Sequence, residues 1–258
     1  MHRYKLVLEY DGTRFRGWQK QKNARTIQET LTAAAERFLG APADIQGAGR
    51  TDAGVHALGQ TAHLETSREI DPAALREGIN GMLPESISIL SAESAAPRFH
   101  ARHHAVSRSY LYLISKRRTV FGSKYAWWVP DRLDCDIMRR TLDVFRGFHD
   151  FASFTDRRME KGSSTRAGID SLLLEEFGDI IAIRVVGRHF LWKMVRRMTG
   201  VTVAAGRGDL TIRDIEEMLV SYSETPKKST APPHGLFLEK VLYEGDTLPD
   251  IKAPPFFR

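Results

Sequence analysis

The sequence contains little cysteine and lacks long apolar runs. A single cysteine, Cys135, occurs among 258 residues, so an internal disulfide and a cysteine-rich zinc module are both excluded. This usage is typical of proteins from the reducing cytoplasm, which is where we expect the chain to act. The apolar runs are far shorter than the roughly 20 residues of a membrane-spanning helix, so we expect no membrane partner. Met1-His2-Arg3 leads directly into a predicted strand, without the apolar segment of a signal peptide.

Acidic residues are outnumbered by basic ones. There are 32 Asp and Glu residues against 38 Lys and Arg residues, which gives a net charge of +6, and such an excess favours an anionic partner. Basic residues lie beside aromatic residues or each other in four clusters, at 14–25, 98–104, 116–118 and 188–197. Because basic side chains hold phosphates and aromatic rings stack on unpaired bases, the clusters together favour RNA. For any one cluster, a solvated basic surface with its aromatic residues in the core is an equal alternative.

Hydrophobic periodicity predicts an α+β fold. Strands lie next to helices without regular parallel βαβ units, which favours two α/β halves with a largely antiparallel sheet. We place the halves at residues 1–105 and 106–258 and expect a central basic cleft between them. Helices are predicted from a capped start at Thr26 to Gly40, from Asp71-Pro72 to about Leu83, and at 135–146, 190–205 and 212–222. Strands are predicted at 4–10, 60–66, 87–90, 108–114, 172–175, 180–186 and 236–243.

The stretch from Gly49 to His56, Gly-Arg-Thr-Asp-Ala-Gly-Val-His, carries the strongest chemical signal. It sets the Asp52 carboxylate between an arginine and a glycine, in the composition of a sharp turn. A nucleophilic carboxylate needs a rigid loop and a nearby cation that keeps it ionised. On local sequence alone, a surface turn in which Asp52 caps the backbone is the simpler interpretation. Features elsewhere in the chain are therefore needed to decide between a nucleophile and a backbone cap.

This stretch and several others resemble the tRNA pseudouridine synthase A family. Each further motif is weak alone, but together they occur in order across nearly the whole chain. The matching segments are Tyr10-Asp11-Gly12, Phe15-Arg16-Gly17-Trp18-Gln19, Phe99-His100-Ala101-Arg102, Arg108-Ser109-Tyr110-Leu111-Tyr112, and the segments at 149–154, 190–196 and 231–236. The basic stretch 157–161 falls where the family varies.

The resemblance implies the pseudouridine synthase fold and an enzyme that isomerises uridine to pseudouridine in the anticodon stem-loop of tRNA. Asp52 would then be the nucleophile, Tyr110 would lie against the target base, and Arg196 would pair with the Asp52 carboxylate. Arg50, at the mouth of the site, and Phe190 would complete the substrate-binding residues. The family is typically homodimeric and uses no metal and no organic cofactor, in keeping with a reaction that adds and removes nothing.

Helix periodicity does not by itself support the role of Arg196. The apolar stripe of its predicted helix includes Met194, Val195 and Met198, and Arg196 points roughly 150° away from that stripe at about 100° per residue. Arg197 points roughly 110° away, and either arginine could be an ordinary helix-surface charge. The assignment of Arg196 depends mainly on the resemblance.

Two other functions stay open. One is an RNA-binding protein that folds tRNA without modifying it, although such a protein has no need for intact Asp52, Tyr110 and Arg196. The other is a metal-dependent hydrolase that uses Asp52 with His56 or His63. His100, His103 and His104 make a poor ligand set because adjacent histidines splay apart and no carboxylate lies at useful spacing. Within the enzyme hypothesis, a different RNA substrate is also open.

Overall fold

A computed structural model describes residues 1–156 and 164–252, so the basic stretch 157–161 lies outside the described residues. The chain divides into two compact units. The first comprises Met1–Val106 and Phe237–Leu248, and the second comprises Ser107–Leu236 and Pro249–Arg258. The division after residue 105 and the basic cleft stay predictions.

The first unit is a sheet with two helices. Its elements in chain order are β1 (His2–Tyr10), α1 (Ile27–Leu39), β2 (Ala43–Gly47), β3 (His56–Thr66), α2 (Pro72–Asn80) and β4 (Ile87–Ser94). Strand β1 lies between β3 and β4 and is antiparallel to both, and β2 is antiparallel to the C-terminal part of β3. Helix α1 packs against β2, α2 packs against β4, and the two helices contact each other. The core of this unit therefore lies between the sheet and the helices.

The helix starts of the first unit follow the predicted caps. The Thr26 hydroxyl accepts a hydrogen bond from the Glu29 amide at 3.4 Å, and the Asp71 carboxylate accepts one from the Ala74 amide at 3.0 Å. Each cap satisfies a main-chain donor that the first helical turn leaves without a partner. Helix α2 ends at Asn80, with Gly81 as its C-cap, rather than near residue 83.

The second unit has a separate antiparallel framework. Its elements are β5 (Ser107–Ser115), β6 (Trp127–Trp128), α3 (Cys135–Val144), β7 (Gly147–Asp150), β8 (Arg166–Phe177), β9 (Ile180–Gly187), α4 (Met194–Arg207), α5 (Ile212–Val220) and α6 (Thr225–Lys228). Strand β9 pairs antiparallel with β5 and β8, β7 pairs antiparallel with β8, and β6 is parallel to β5. Helix α3 packs against β8, α4 and α5. The predicted hairpin between β8 and β9 is confirmed, with Gly178 at φ +60° in its turn.

Helix α4 begins at Met194 rather than near residue 190. Lys193 has φ +61°, a left-handed conformation that cannot belong to a right-handed helix. The residues from 188 to 193 therefore form a loop between β9 and α4.

The chain then returns to the first unit through β10 (Leu236–Leu242). Phe237 and Leu238 pair in parallel with His56 and Ala57 at the start of β3. The predicted α+β class with a largely antiparallel sheet is confirmed. Within residues 1–156 and 164–252, no helix is long and apolar enough to cross a membrane.

Candidate active site

The Asp52 loop joins β2 to β3, and its first residues are anchored on β3. The Ala48 amide donates to the Thr61 carbonyl at 2.8 Å. The fully buried Gln60 side chain holds Gly49 on both sides, because its Nε2 donates to the Gly49 carbonyl at 2.8 Å and its Oε1 accepts from the Gly49 amide at 3.3 Å. The entry to the loop is therefore fixed by a side chain as well as by main-chain pairing.

The residues around Asp52 form a tight turn. The Val55 amide donates to the Asp52 carbonyl at 3.1 Å, and Gly54 has φ +77°, which glycine adopts without strain. Thr51 is buried, and its hydroxyl lies 2.8 Å from the hydroxyl of Tyr10 on β1. Asp52 itself is half-buried. The backbone is thus held on both sides of the carboxylate.

Gly17 permits a second segment to reach this turn. The neighbouring Trp18 amide donates to the Thr51 carbonyl at 3.1 Å, and Gly17 has φ +94°. A Cβ atom on Gly17 would lie 2.5 Å from the Thr51 carbonyl oxygen and 3.1 Å from the Asp52 carbonyl carbon. Any larger residue at 17 would therefore push against the backbone that carries Asp52.

His56 closes the loop from the other end. Its buried ring stacks on Phe237 with 4.9 Å between ring centroids. Its Nδ1 accepts from the Gly12 amide at 3.1 Å and lies 3.2 Å from an Asp11 carboxylate oxygen. His56 therefore orients the loop.

The metal-dependent hydrolase lacks a ligand set in the described part of the chain. His63 Nδ1 accepts from the Ala101 amide at 3.2 Å, and burial, helped by the neighbouring His100, lowers the pKa of His63 to about 4. No group of three His, Cys, Asp or Glu residues that could hold a metal ion occurs within residues 1–156 and 164–252.

The basic cluster at 14–25 has its cations outside and its aromatic rings inside. Arg14 and Arg16 are exposed, whereas Phe15 and Trp18 are only 3% and 1% exposed. The Arg25 guanidinium lies over the Phe15 ring, 4.8 Å from its centroid. The aromatic rings of this cluster therefore belong to the core, so the cluster can offer charge but no ring to a base.

Tyr110 and Phe190 meet in the second unit. Tyr110 lies on β5 and is 9% exposed, and its ring meets the Phe190 ring edge to face, at 5.0 Å between centroids and 80° between planes. Phe190 belongs to the 188–193 loop, which is tied to β5 because Arg108 Nη1 donates to the Arg188 carbonyl at 2.8 Å. Two of the predicted substrate-binding residues are thus one aromatic pair.

Arg196 is the third residue of α4 and is half-buried. Its Nε donates to the Ala231 carbonyl at 2.8 Å, and its own carbonyl accepts from the Ala231 amide at 3.0 Å. Helix α4 approaches this segment closely, because a Cβ on Gly200 would lie 1.6 Å from the Ser229 carbonyl oxygen. The guanidinium plane of Arg196 is therefore fixed by the 229–231 segment.

Arg197 is buried, so the surface interpretation of this residue is wrong. It is 3% exposed, and its Nη1 donates to the carbonyls of Thr155 at 2.5 Å and Ser153 at 3.3 Å. Burial lowers the pKa of its guanidinium. The Thr155 hydroxyl in turn donates to the Trp192 carbonyl at 3.4 Å, so Arg197 ties the start of α4 to the 153–155 segment.

The predicted site residues fall into two groups. Asp52 and the exposed Arg50 share one loop of the first unit, and Tyr110, Phe190 and Arg196 belong to the second unit. The residues that hold the loop were not predicted as functional. Tyr10, Gly12 and Gly17 lie in motifs that resemble the family, and this resemblance could have indicated that they are functional. No sequence pattern around Gln60 indicates its role.

Comparison with known proteins identifies the family. The profile described as tRNA pseudouridine synthase matches residues 6–103 and 142–244. The chain is 41% identical to tRNA pseudouridine synthase A of Rhodopseudomonas palustris (strain BisA53), over 95% of this chain and 100% of that protein. It is 37% identical to the protein of that name in Agrobacterium fabrum, over 98% and 97%, and 40% identical to the one in Beijerinckia indica subsp. indica, over 100% and 99%. The chain therefore belongs to the family of tRNA pseudouridine synthases, isomerases that convert uridine in tRNA to pseudouridine.

Proposed function

We propose that the enzyme acts on uridine in the anticodon stem-loop of tRNA and that Asp52 is its nucleophile. The observation that carries the proposal is the fixed backbone around Asp52, held by the Thr51–Tyr10 contact, the Trp18 amide and the Gln60 side chain. A catalytic group must lie within a fraction of an ångström of its productive position, so such pre-organisation favours catalysis. A loop that only capped its own backbone would not need three distant segments to hold it.

The proposed reaction is an isomerisation in which a carboxylate forms a covalent adduct and no group is transferred to or from the tRNA. The bond between C1′ of the ribose and N1 of the base breaks, the base turns, and C1′ joins C5, while C5 releases its proton and N1 gains one. A covalent adduct of Asp52 with the base or the sugar would divide this reaction into easier steps. The target uridine must first leave its stack, and flipping a base out of its stack costs on the order of a few kcal/mol.

Tyr110 and Phe190 are proposed to receive the flipped base. The edge-to-face pair leaves an aromatic surface whose orientation is fixed by β5 and by the 188–193 loop. Stacking of the base on such a ring would offset part of the stacking that flipping removes. The Tyr110 hydroxyl could then assist a proton transfer, so Tyr110→Phe separates the hydroxyl from the ring.

Arg196 is proposed as the counter-ion of the Asp52 carboxylate, as the resemblance implies. Its Nε–H bond to Ala231 fixes the guanidinium plane, and a bidentate arginine–carboxylate pair depends on that plane. Such a pair would keep the carboxylate ionised in a site from which water is excluded. Arg50 is exposed and is proposed to contact the RNA backbone.

A homodimer that works in the cytoplasm is part of the same proposal. The dimer follows the family resemblance, and the cytoplasm fits a tRNA substrate and the single cysteine. Sedimentation velocity of the purified chain should give a dimer mass, and a monomer at micromolar concentration would contradict this part.

The nucleophile is tested by tritium release from tRNA that carries uridine labelled at C5. The wild type should release tritium, and Asp52→Ala and Asp52→Asn should release none while binding tRNA as tightly as the wild type. The control Asp44→Asn changes an exposed carboxylate on β2 of the same unit and should leave release unchanged. Turnover by Asp52→Asn would exclude a covalent role for Asp52.

The position is tested with the same assay and a second tRNA. In that tRNA the uridines of the anticodon stem-loop are replaced by cytidine and all others are kept. Release should disappear with this substrate, whereas continued release would place the modified uridines elsewhere in tRNA. Binding should weaken steeply with salt in both cases, because phosphate contacts release counterions.

A further inference from the structure

The basic cluster at 116–118 divides into paired and unpaired cations. Lys116 Nζ lies 3.3 Å from a Glu176 carboxylate oxygen, and Arg117 Nε lies 2.7 Å from an Asp179 oxygen. Arg118 is exposed, and among the described residues it has no ion pair; the same holds for Lys124, six residues later. The unpaired positive charge therefore lies at the two flanks of one turn, which we call the 118–124 tip.

The 118–124 tip holds two apolar side chains in solvent. Val120 is 84% exposed and Phe121 is 82% exposed. The turn is nevertheless ordered by its own hydrogen bonds, because the Thr119 hydroxyl donates to the Phe121 carbonyl at 2.8 Å and the Ser123 hydroxyl donates to the Val120 carbonyl at 3.1 Å. Gly122, at φ +82°, allows the reversal. The ring is thus presented on a defined support rather than on a free chain end.

We propose that the 118–124 tip is a tRNA contact in which the Phe121 ring stacks on an unpaired base while Arg118 and Lys124 hold the adjoining phosphates. An exposed ring between two cations has the composition that single-stranded nucleic acid binds, since every base has a face to stack and every nucleotide a negative charge. The flanking charges favour a polyanion over a second copy of this chain, whose net charge is +6. The inference depends on tRNA being the substrate, and it adds a contact that no motif of the Asp52 loop supplies.

The ring is tested with three variants and one readout. Phe121→Leu keeps an apolar side chain and removes the aromatic face, and Phe121→Trp keeps the face. Loss of one base–aromatic stack corresponds to about 5- to 150-fold in Kd, so Phe121→Leu should weaken tRNA binding at least about fivefold, and Phe121→Trp should bind like the wild type. Val120→Ala, an equally exposed apolar change on the same turn, is the matched control and should leave Kd unchanged. Equal Kd values for the wild type and Phe121→Leu would overturn the stacking contact.

The charges are tested through the salt dependence of binding. Arg118→Gln and Lys124→Gln should each lower the slope of log Kd against log salt concentration by about 1, as the loss of one phosphate contact does. Arg117→Gln, whose guanidinium is paired with Asp179, is the control and should lower the slope less. An unchanged slope in both exposed variants would overturn the phosphate contacts.

Two further measurements separate this inference from its competitors. Sedimentation velocity of Phe121→Leu and Phe121→Ser should match the wild type; dissociation of an oligomer by the serine variant, with leucine tolerated, would make the tip a protein interface and refute the inference. Phe121→Leu should raise KM for tRNA and leave kcat unchanged, whereas Asp52→Ala should abolish turnover and leave Kd unchanged. Failure of the Asp52 assignment would therefore be visible independently of the tip.

Discussion

Replacement of Gly17 by alanine should slow catalysis about 100-fold in a protein that still folds. The added Cβ would lie 2.5 Å from the Thr51 carbonyl oxygen, 3.1 Å from the Asp52 carbonyl carbon and 3.2 Å from the Ala53 amide nitrogen. All three are backbone atoms, so no side-chain rotation can relieve the contact. The turn that carries Asp52 has to move, or Gly17 has to leave its φ of +94°.

The size of the effect follows from these distances. The 2.5 Å contact must lengthen by about 0.9 Å to reach the 3.4 Å of ordinary van der Waals contact. A displacement of about 1 Å at a catalytic group costs on the order of 100-fold in rate, which is about 2.7 kcal/mol of transition-state stabilisation. Left-handed strain and overpacking together lower the free energy of unfolding by roughly 2–5 kcal/mol, against a total of about 5–15 kcal/mol for a native protein.

The assay compares kcat from tritium release with the free energy of unfolding from urea titration. Gly40→Ala is the matched control, because Gly40 also has a positive φ of +61° but its Cβ would meet only Arg68 Nη1, at 3.9 Å. That variant should lose about 1–2 kcal/mol of stability and keep its kcat. A Gly17→Ala enzyme that remains folded and turns over tRNA at the wild-type rate would refute the claim that backbone contact at Gly17 positions Asp52.

Three other perturbations test the surroundings of the site. Arg197→Met leaves the Ser153 and Thr155 carbonyls without their donor and should lower the free energy of unfolding by roughly 2 kcal/mol or more. Arg197→Lys should recover part of the loss. An unchanged urea midpoint in Arg197→Met would show that these hydrogen bonds do not stabilise the fold. Burial lowers the pKa of His63 from its ordinary 6.5 to about 4, so between these two values the unfolded chain binds a proton that the folded protein does not. The free energy of unfolding should therefore fall as the pH falls from 6.5 to 4. His63→Gln should flatten this dependence of stability on pH, and an equally steep dependence in that variant would assign the effect to other groups. Partial burial, with Glu176 next to it, raises the pKa of the Cys135 thiol to about 11. Iodoacetamide at pH 8 should therefore alkylate Cys135 much more slowly in the folded protein than in urea, and equal rates would contradict the raised pKa.

The local parts of the fold could be predicted because they depend on a few neighbouring residues. Thr26, Asp71 and Thr211 precede amphipathic segments, and each caps the helix that follows. The β8–β9 hairpin turns at Phe177-Gly178-Asp179, where glycine supplies the positive φ. Short strands were missed, since β2 and β7 have five and four residues, and such segments are strands because of the partners they pair with rather than their own composition.

The start of α4 shows why a periodic pattern can mislocate an element. The apolar spacing continues through the 188–193 loop, so it predicted a helix from about residue 190. The loop is instead held by contacts to β5 and to Thr155, which are distant in sequence. The same separation in sequence explains Arg197. Its angle to the apolar stripe depends on one helix alone, whereas its burial comes from the 153–155 carbonyls that lie against that helix.

The candidate site could be found by resemblance, but its rigidity could not be read from the Asp52 stretch. The atoms that fix the turn come from Tyr10, Gly17 and Gln60, each on a different segment of the first unit. Tyr10 and Gly17 had a signal because they fall in matching motifs, yet the reason for each residue type is a distance to a backbone atom. Such distances depend on how distant segments pack in the fold, so they cannot be predicted from the local pattern of a single sequence.

The basic–aromatic clusters illustrate the same limit and bear on how tRNA is held. From the sequence, the cluster at 14–25 is the richer one, with Phe15 and Trp18 among its cations, and 116–118 is only a short run of charge. In the structure, Phe15 and Trp18 are core residues, so the cluster at 14–25 has no ring on which a base can stack. Phe121, which follows the 116–118 cluster in the 118–124 tip, is 82% exposed and can accept a base. Because Phe15 and Trp18 are only 3% and 1% exposed, the cluster at 14–25 can contribute charge alone. Variants of its arginines should therefore weaken the binding of all tRNAs alike through the salt-dependent term. Of these two surfaces, only the 118–124 tip presents an exposed ring, Phe121, to an unpaired base. This difference makes the two surfaces separable by mutation.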